Sequence, residues 1–292
     1  MSKRLFLALA LAAVAAIAKP IDWDEAKEVQ PGIKLCQLEL VEPRLLKVAV
    51  MRIDLKTPGL RFTGTKRPPE WGRVMDDYTN KTMYVRTKRV RTADFMMDER
   101  KAGRNVIAAF NSAPWGPWVA PFTHKYGDPH GLNISDGVVV SDHHHKRDPM
   151  FVAWKNGECA ITNSIPANRY GEIQVAHTGF EIILTNGVKT KAALARTDLN
   201  PRMAYGLSAD KRWMYVVAAD GRQPGWSLGA SLPDLCDIMA DAGASDAVNM
   251  DGGGSTTLLY WDGEKPVMAN RHNASRNLVR KNGANIAVYL ER

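Results

Sequence analysis

The chain has 292 residues, 45% of them apolar and 24% charged, enough for one or two domains with a substantial core. That excludes a disordered protein, a collagen-like fibre and a small disulfide scaffold. The net charge of +8, from 39 Lys and Arg against 31 Asp and Glu, favours an anionic substrate or surface without requiring one.

Lys3 and Arg4 precede an apolar stretch over residues 5–18 that ends in Ala16-Ile17-Ala18. A positive start, a short apolar run and a small-x-small end are the layout of a secretory signal peptide. The run is too short for a comfortable membrane span. Cleavage after Ala18 is expected to export the protein to the periplasm or the outside, and no stable membrane anchor is expected. That compartment permits disulfides, but only Cys36, Cys159 and Cys236 are present. An odd count leaves at least one thiol free or paired outside the chain.

Residues 35–40 and 45–53 read as two strands, with Glu42-Pro43 between them. Residues 56–91 are rich in Lys, Arg, Pro and Thr and read as an irregular, basic, solvated segment with one short strand. Residues 92–103 read as a helix with Thr92 at the N-cap and Gly103 as its stop. A buried strand at 106–110 ends at Asn111. Residues 112–129, rich in Pro, Trp and Gly, read as a long functional loop. Short strands are expected near 131–140, 149–154, 158–162 and 180–184, then at 203–207 and 213–219. Ser231-Leu232-Pro233-Asp234 is a capping-box pattern. Leu235, Ile238, Met239 and Ala242 then recur on one helical face, and Gly243 ends the helix. Strands at 247–250, 257–261 and 285–290 complete the chain.

The fold class expected is α+β: a mixed β-sheet with few helices. It includes one βαβ unit of strand 213–219, helix 232–242 and strand 247–250. A crossover of that length usually joins parallel strands. Their carboxyl ends then share one sheet edge, which brings Asp220 and Asp251 together where open α/β sheets bind ligands. The expected domains are a signal peptide (1–18), an N-terminal extension with strands (19–90) and a catalytic domain (91–292).

Three motifs carry chemistry. In Asn249-Met250-Asp251-Gly252-Gly253-Gly254-Ser255, three glycines exceed what a tight turn needs. Their N–H groups and Ser255 suit an anion such as phosphate. No Lys follows them, so this is not a P-loop. In Asp220-Gly221-Arg222-Gln223-Pro224-Gly225-Trp226-Ser227, Arg222 suits phosphate or carboxylate, and Trp226 offers a sugar ring a face to stack on. In Pro201-Arg202-Met203-Ala204-Tyr205-Gly206, an Arg entering an apolar strand needs a partner. Asp251, Asp220, a substrate phosphate and a structural Asp all qualify. Asp142-His143-His144-His145 reads as a loop or turn rather than a zinc site, because neighbouring strand residues point to opposite faces. No Gly-x-Ser-x-Gly or His-Glu-x-x-His motif occurs.

The ordered set Pro-Arg-x-Ala-x-Gly (201–206), Asp-Gly-Arg-x-x-Gly-x-Ser-x-Gly (220–229) and Asn-x-Asp-Gly-Gly-Gly-Ser (249–255) resembles the phosphodiester glycosidase family. The strand ending in Asn111 and the closing Arg-x-x-x-Ala of residues 280–284 fit the same layout, which spans roughly residues 90–290. Ser112 stands where the family's pattern has Gly. The resemblance implies hydrolysis of the glycosidic bond of a sugar-1-phosphodiester or phosphorylated glycan, giving free sugar and a phosphomonoester. It points to Asp251, Asp220 and Glu181 as catalytic carboxylates, a pairing glycosidases commonly use. Arg202, Arg222, Asn111, Asn249, Gly252, Gly253, Gly254, Ser255 and Ser227 then become substrate or phosphate contacts. No cofactor is certain from the sequence. Calcium or magnesium enters only with the alternative of a metal-dependent phosphodiesterase held by Asp220 and Asp251. A non-catalytic module that binds anionic glycans is the third reading. Nucleic acid is not an expected partner.

Overall fold

In the computed structural model, residues 20–75, 83–118, 123–142, 148–273 and 279–291 are described. Residues 1–18 and His143 to His145 therefore lie outside the described residues, and with them the expected signal peptide and the histidine cluster.

Two sheets pack face to face. The larger has eight strands in the order Lys27–Gln30, Ile33–Leu40, Leu46–Asp54, Trp213–Ala219, Arg202–Leu207, Asp246–Asn249, Glu181–Thr185, Val188–Lys189. The second has five: Pro266–Met268, Leu258–Trp261, Asn105–Asn111, Asn285–Leu290, Leu60–Gly64. Strand alternation decides the layering. Ala49, Met51 and Ile53 join Phe110, Ile286 and Val288 in the central core. Leu46, Val48 and Val50 face the other way, onto Leu235, Ile238 and Met239 of helix Leu232–Ala242. On the outer face of the second sheet, Ala109, Leu259 and Ala287 pack on Phe95 and Met96 of helix Thr92–Lys101. A further five-stranded sheet (Val138–Asp142, Leu132–Ser135, Ile173–Thr178, Met150–Trp154, Cys159–Thr162) adds Phe151 and Val175 to the central core. Trp115–Gly116 and Tyr126–Pro129, both within the segment read as a loop, form a small three-stranded sheet with Thr87–Lys88.

The α+β reading holds, with most of the structure in antiparallel strands and few helices. The expected mixed sheet and βαβ unit need correction. Each strand pairing among the described residues is antiparallel. Trp213–Ala219 and Asp246–Asn249 are not neighbours, because Arg202–Leu207 pairs antiparallel with both. They still run in the same direction, so Asp220 and Asp251 leave at one edge. The residues read as an N-terminal extension are built into the same sheets. Leu46–Asp54 pairs with Trp213–Ala219, and Leu60–Gly64 with Asn285–Leu290.

Helix Leu232–Ala242 has the expected capping box of Ser231 and Asp234, and Gly243 closes it at φ 105°. Helix Thr92–Lys101 is capped differently. Arg91 is its N-cap and supplies no side-chain hydrogen bond. The Thr92 hydroxyl instead donates to Asn285 Oδ1 at 2.7 Å, joining the helix to the sheet beneath it. All three cysteines are free thiols. Among the described residues no helix is long and apolar enough to cross a membrane.

Candidate active site

Asp251 sits where the two large sheets meet. Its N–H donates to the Ser112 carbonyl at 3.0 Å. Its carbonyl accepts Asn111 Nδ2 at 2.6 Å. Asn111 also accepts Thr257 N–H on Oδ1 at 2.9 Å and the Tyr205 hydroxyl on its carbonyl at 2.6 Å. Asn111 ends a strand of one sheet, and Asp251 follows a strand of the other. The amide thus fixes the start of the glycine-rich segment rather than presenting itself to a substrate, as the sequence reading had it.

Burial pushes the Asp251 carboxyl up to about 6. The Ser255 hydroxyl, the Arg280 charge, the Gly252 N–H and the Trp115 indole favour its ionised form and hold the rise in check. Neither Ser255 Oγ nor Trp115 Nε1 reaches normal hydrogen-bond geometry, and Asp251 Oδ2, Thr256 Oγ1 and Asn249 Oδ1 share that condition. Buried polar atoms normally find partners. Such a group around a raised carboxyl suits a polar ligand.

Two guanidiniums converge on the glycines. A β-carbon on Gly253 would lie 3.4 Å from Arg222 Nη1, and one on Gly254 would lie 2.6 Å from Arg280 Nη2. Glycine is therefore required at 254 to admit Arg280. At 252 a β-carbon would meet the Pro201 carbonyl oxygen at 2.6 Å. Arg222 is exposed, at φ 55°, and its Nε donates to Asn200 Oδ1 at 3.0 Å. Arg280 is half-buried and lies over the Trp118 ring at 4.5 Å. Burial, then the Arg222 charge, holds its pKa down, while Asp251 opposes the fall. His272 Nε2 donates to the Gly254 carbonyl at 2.6 Å, and burial lowers the pKa of its ring.

The backbone cradle expected from the glycines is only partly there. Gly253 N–H is bonded to the Pro201 carbonyl, Ser255 N–H to Gly252 and Thr256 N–H to Gly253. The turn Gly253–Ser255 is a single 3₁₀ turn that uses its own donors. The positive charges placed against these glycines are the two guanidiniums.

Several predicted residues serve the scaffold. Asp220 is buried and accepts from Trp226 Nε1 at 2.8 Å, Asn270 Nδ2 at 3.3 Å and Arg271 N–H at 2.9 Å. Burial raises its pKa against those bonds. Asn270 links it to the Thr256 carbonyl and the Leu258 N–H, so Asp220 braces the exit of the glycine-rich segment. A carboxylate so fully engaged does not fit the metal site envisaged with Asp251, and no group of three or more His, Cys, Asp or Glu among the described residues is placed to hold a metal ion. Arg202 is 6% exposed. It meets the Asp198 carboxylate and carbonyl at 2.9 Å and the Ala230 carbonyl at 3.2 Å. Its partner is thus the structural Asp. The Ser227 hydroxyl donates to the Asp220 carbonyl and accepts Lys47 N–H. Glu181 pairs in register with Asn249, whose Nδ2 donates to it at 3.3 Å, and it also meets Arg196 at 3.3 Å. The Trp226 ring lies between Lys47 and Arg271, at 4.1 and 4.8 Å. Trp118 is 55% exposed, set edge-on to Trp115 at 5.5 Å with Arg280 over its ring.

Arg280, His272 and Trp118 were not among the predicted site residues. Arg280 had a usable signal, as the first residue of the Arg-x-x-x-Ala element. Trp118 fell within the segment 112–129 read as a functional loop but was not singled out, and His272 had no signal, because only the fold brings it to Gly254.

A family model described as phosphodiester glycosidase matches residues 104–289. The fold is similar to the catalytic domain of zebrafish N-acetylglucosamine-1-phosphodiester alpha-N-acetylglucosaminidase, auto-inhibited by its pro-peptide. The two share 16% identity over 89% of this chain and 82% of that one, at a TM-score of 0.61. It is also similar to a hypothetical protein from Synechocystis (13% identity, 89% and 62% covered, TM-score 0.56). A putative exported protein from Burkholderia pseudomallei is a third match (14%, 84% and 74%, 0.55). At these identities the structural likeness is one of fold. No curated protein matches the sequence.

Proposed function

This chain belongs to the phosphodiester glycosidase family, and from that premise we propose that it hydrolyses the glycosidic bond of a sugar-1-phosphodiester. The products are free sugar and a phosphomonoester. The single observation that carries the reading is the placement of Arg222 and Arg280 against Gly253 and Gly254, beside the buried carboxyl of Asp251.

The phosphodiester enters as a monoanion, and C–O cleavage leaves a second charge on the departing phosphate. Two guanidiniums meet that growing charge, a form of transition-state stabilisation. A leaving group stabilised in this way needs little help from a general acid. Asp251 is then free to act as a base. Its carboxylate takes a proton from the water that attacks the anomeric carbon, the C–O bond breaks, and the electron pair goes to the phosphate oxygen. Asp220 braces the loop beneath this centre. Trp118 offers the sugar ring an apolar face.

Release of free sugar from a synthetic N-acetylglucosamine-1-phosphodiester, with and without EDTA, tests the reading. Free sugar that persists in EDTA and is lost in Asp251→Asn supports it. Sugar-1-phosphate abolished by EDTA would replace it with P–O cleavage at a metal site. We propose further that the protein acts after export, as its N-terminal sequence suggests.

A further inference from the structure

A groove of about 620 Å³, away from Asp251, lies between strand Ile33–Leu40 and helix Leu232–Ala242. Leu35, Leu38, Leu40, Pro43, Leu46 and Ile238 line it. Its size and apolar lining are those of a ligand site.

The groove is joined to the phosphate arginines by a short path. Arg222 N–H donates to the Leu228 carbonyl at 3.2 Å, and Leu228 N–H donates to the Leu45 carbonyl at 2.9 Å. Leu228 and Leu45 are each 38% exposed, Leu40 42% and Val41 70%. Single exposed leucines are ordinary, but neighbouring ones beside a site mark a contact surface. These four stand at the sheet edge that also carries Asp220, since Leu40 pairs with Leu46 and Val48 with Ala219. Leu40 belongs to both the strip and the groove.

Charge narrows the occupant. Asp22, Glu25, Glu42, Asp234, Asp237 and Asp241 all border the groove. Arg44 pairs with Asp234 and Lys189 with Asp237, yet carboxylates still outnumber cations there, on a chain whose net charge is +8. A tail carrying a second phosphate or a carboxylate would be repelled. An uncharged apolar chain would not.

We propose that the non-sugar part of the substrate is a hydrocarbon chain that leaves the phosphate at Arg222, crosses Leu228, Leu45 and Leu40, and enters the groove. The substrate class is then a lipid-linked sugar-1-phosphate. This rests on the phosphodiester glycosidase reading. Cleavage would give free sugar and an alkyl phosphate, with water supplying hydroxyl to the sugar and a proton to the phosphate.

The test compares methyl and dodecyl phosphodiesters of N-acetylglucosamine 1-phosphate, below the micelle concentration. Binding of methyl phosphate and dodecyl phosphate by calorimetry runs beside it, because it needs no turnover. The expected result is at least a tenfold advantage for the dodecyl compounds in kcat/KM and in affinity. That advantage falls to near unity in the double variant Leu45→Ser, Leu228→Ser and survives in Val138→Ser, an exposed apolar position on a strand of another sheet. Equal affinity for methyl and dodecyl phosphate in the parent protein overturns the proposal, as does an advantage that the double variant keeps. Failure to release sugar from the methyl substrate, with the binding advantage intact, counts against the hydrolytic reading alone.

Discussion

Asn111 Nδ2 donates to the Asp251 carbonyl at 2.6 Å, and this one amide ties the last residue of a strand in one sheet to the second residue after a strand of the other. The same side chain takes the Thr257 N–H. Both ends of the glycine-rich segment are therefore set by a residue 140 positions earlier. Asn111→Ala leaves a buried N–H and a buried carbonyl without partners, which costs about 1–3 kcal/mol each. The expected outcome is destabilisation of about 3 kcal/mol, read from urea unfolding. At a temperature where the variant is still folded, kcat falls at least tenfold.

Asp251 couples activity and stability to pH with opposite signs. Its folded pKa of about 6 lies above the usual carboxylate value, so the protonated form favours folding. That contribution is complete below about pH 4 and is lost as pH rises through 6, a difference of up to about 3 kcal/mol. Asp251→Asn cannot ionise. It should be more stable than the parent at pH 8, and the gap should close below pH 4, by urea midpoints at both. As a base, Asp251 works ionised, so kcat/KM should rise through about pH 6 and then level. The variant should lose roughly 10²–10⁴-fold in kcat.

The glycines separate folding from chemistry. Gly254→Ala puts a β-carbon against the mobile end of Arg280, so Tm should change little while kcat/KM falls at least tenfold. Gly252→Ala puts one against the Pro201 carbonyl, which cannot yield. It should cost about 1–3 kcal/mol of stability. Arg280→Ala should lose roughly 10²–10³ in kcat/KM if it meets charge that grows in the transition state.

His177 is buried, its Nδ1 2.7 Å from Ser112 Oγ, and burial pushes its pKa down to about 3. The folded state therefore binds fewer protons than the unfolded state between pH 6.5 and 3. Stability present above pH 6.5 is lost as pH falls through that window. His177→Gln should flatten the loss, measured as urea midpoints from pH 7 to 4.

What the sequence made legible was local. The capping box at Ser231, the stop at Gly243 and the strand to Asn111 depend on near neighbours, and the strands proved close to their expected bounds. The shared edge of Asp220 and Asp251 also followed, from helix length alone. What was hidden depends on pairing across the chain. Periodicity does not show that Arg202–Leu207 slips between two like-directed strands, nor that residues 33–54 complete the same sheet. Arg202 carried the right charge for a phosphate contact and Asp220 for catalysis, but only the fold shows their groups bound to Asp198 and to Trp226, Asn270 and Arg271. Arg280 reaches Gly254 from 26 residues downstream.

The most direct test of C–O cleavage is hydrolysis of a sugar-1-phosphodiester in ¹⁸O-labelled water, with both products read by mass spectrometry. Attack at the anomeric carbon puts the label in the free sugar and leaves the phosphomonoester unlabelled. Label in the phosphate, with sugar released unlabelled or as its 1-phosphate, would mean attack at phosphorus and contradict the account.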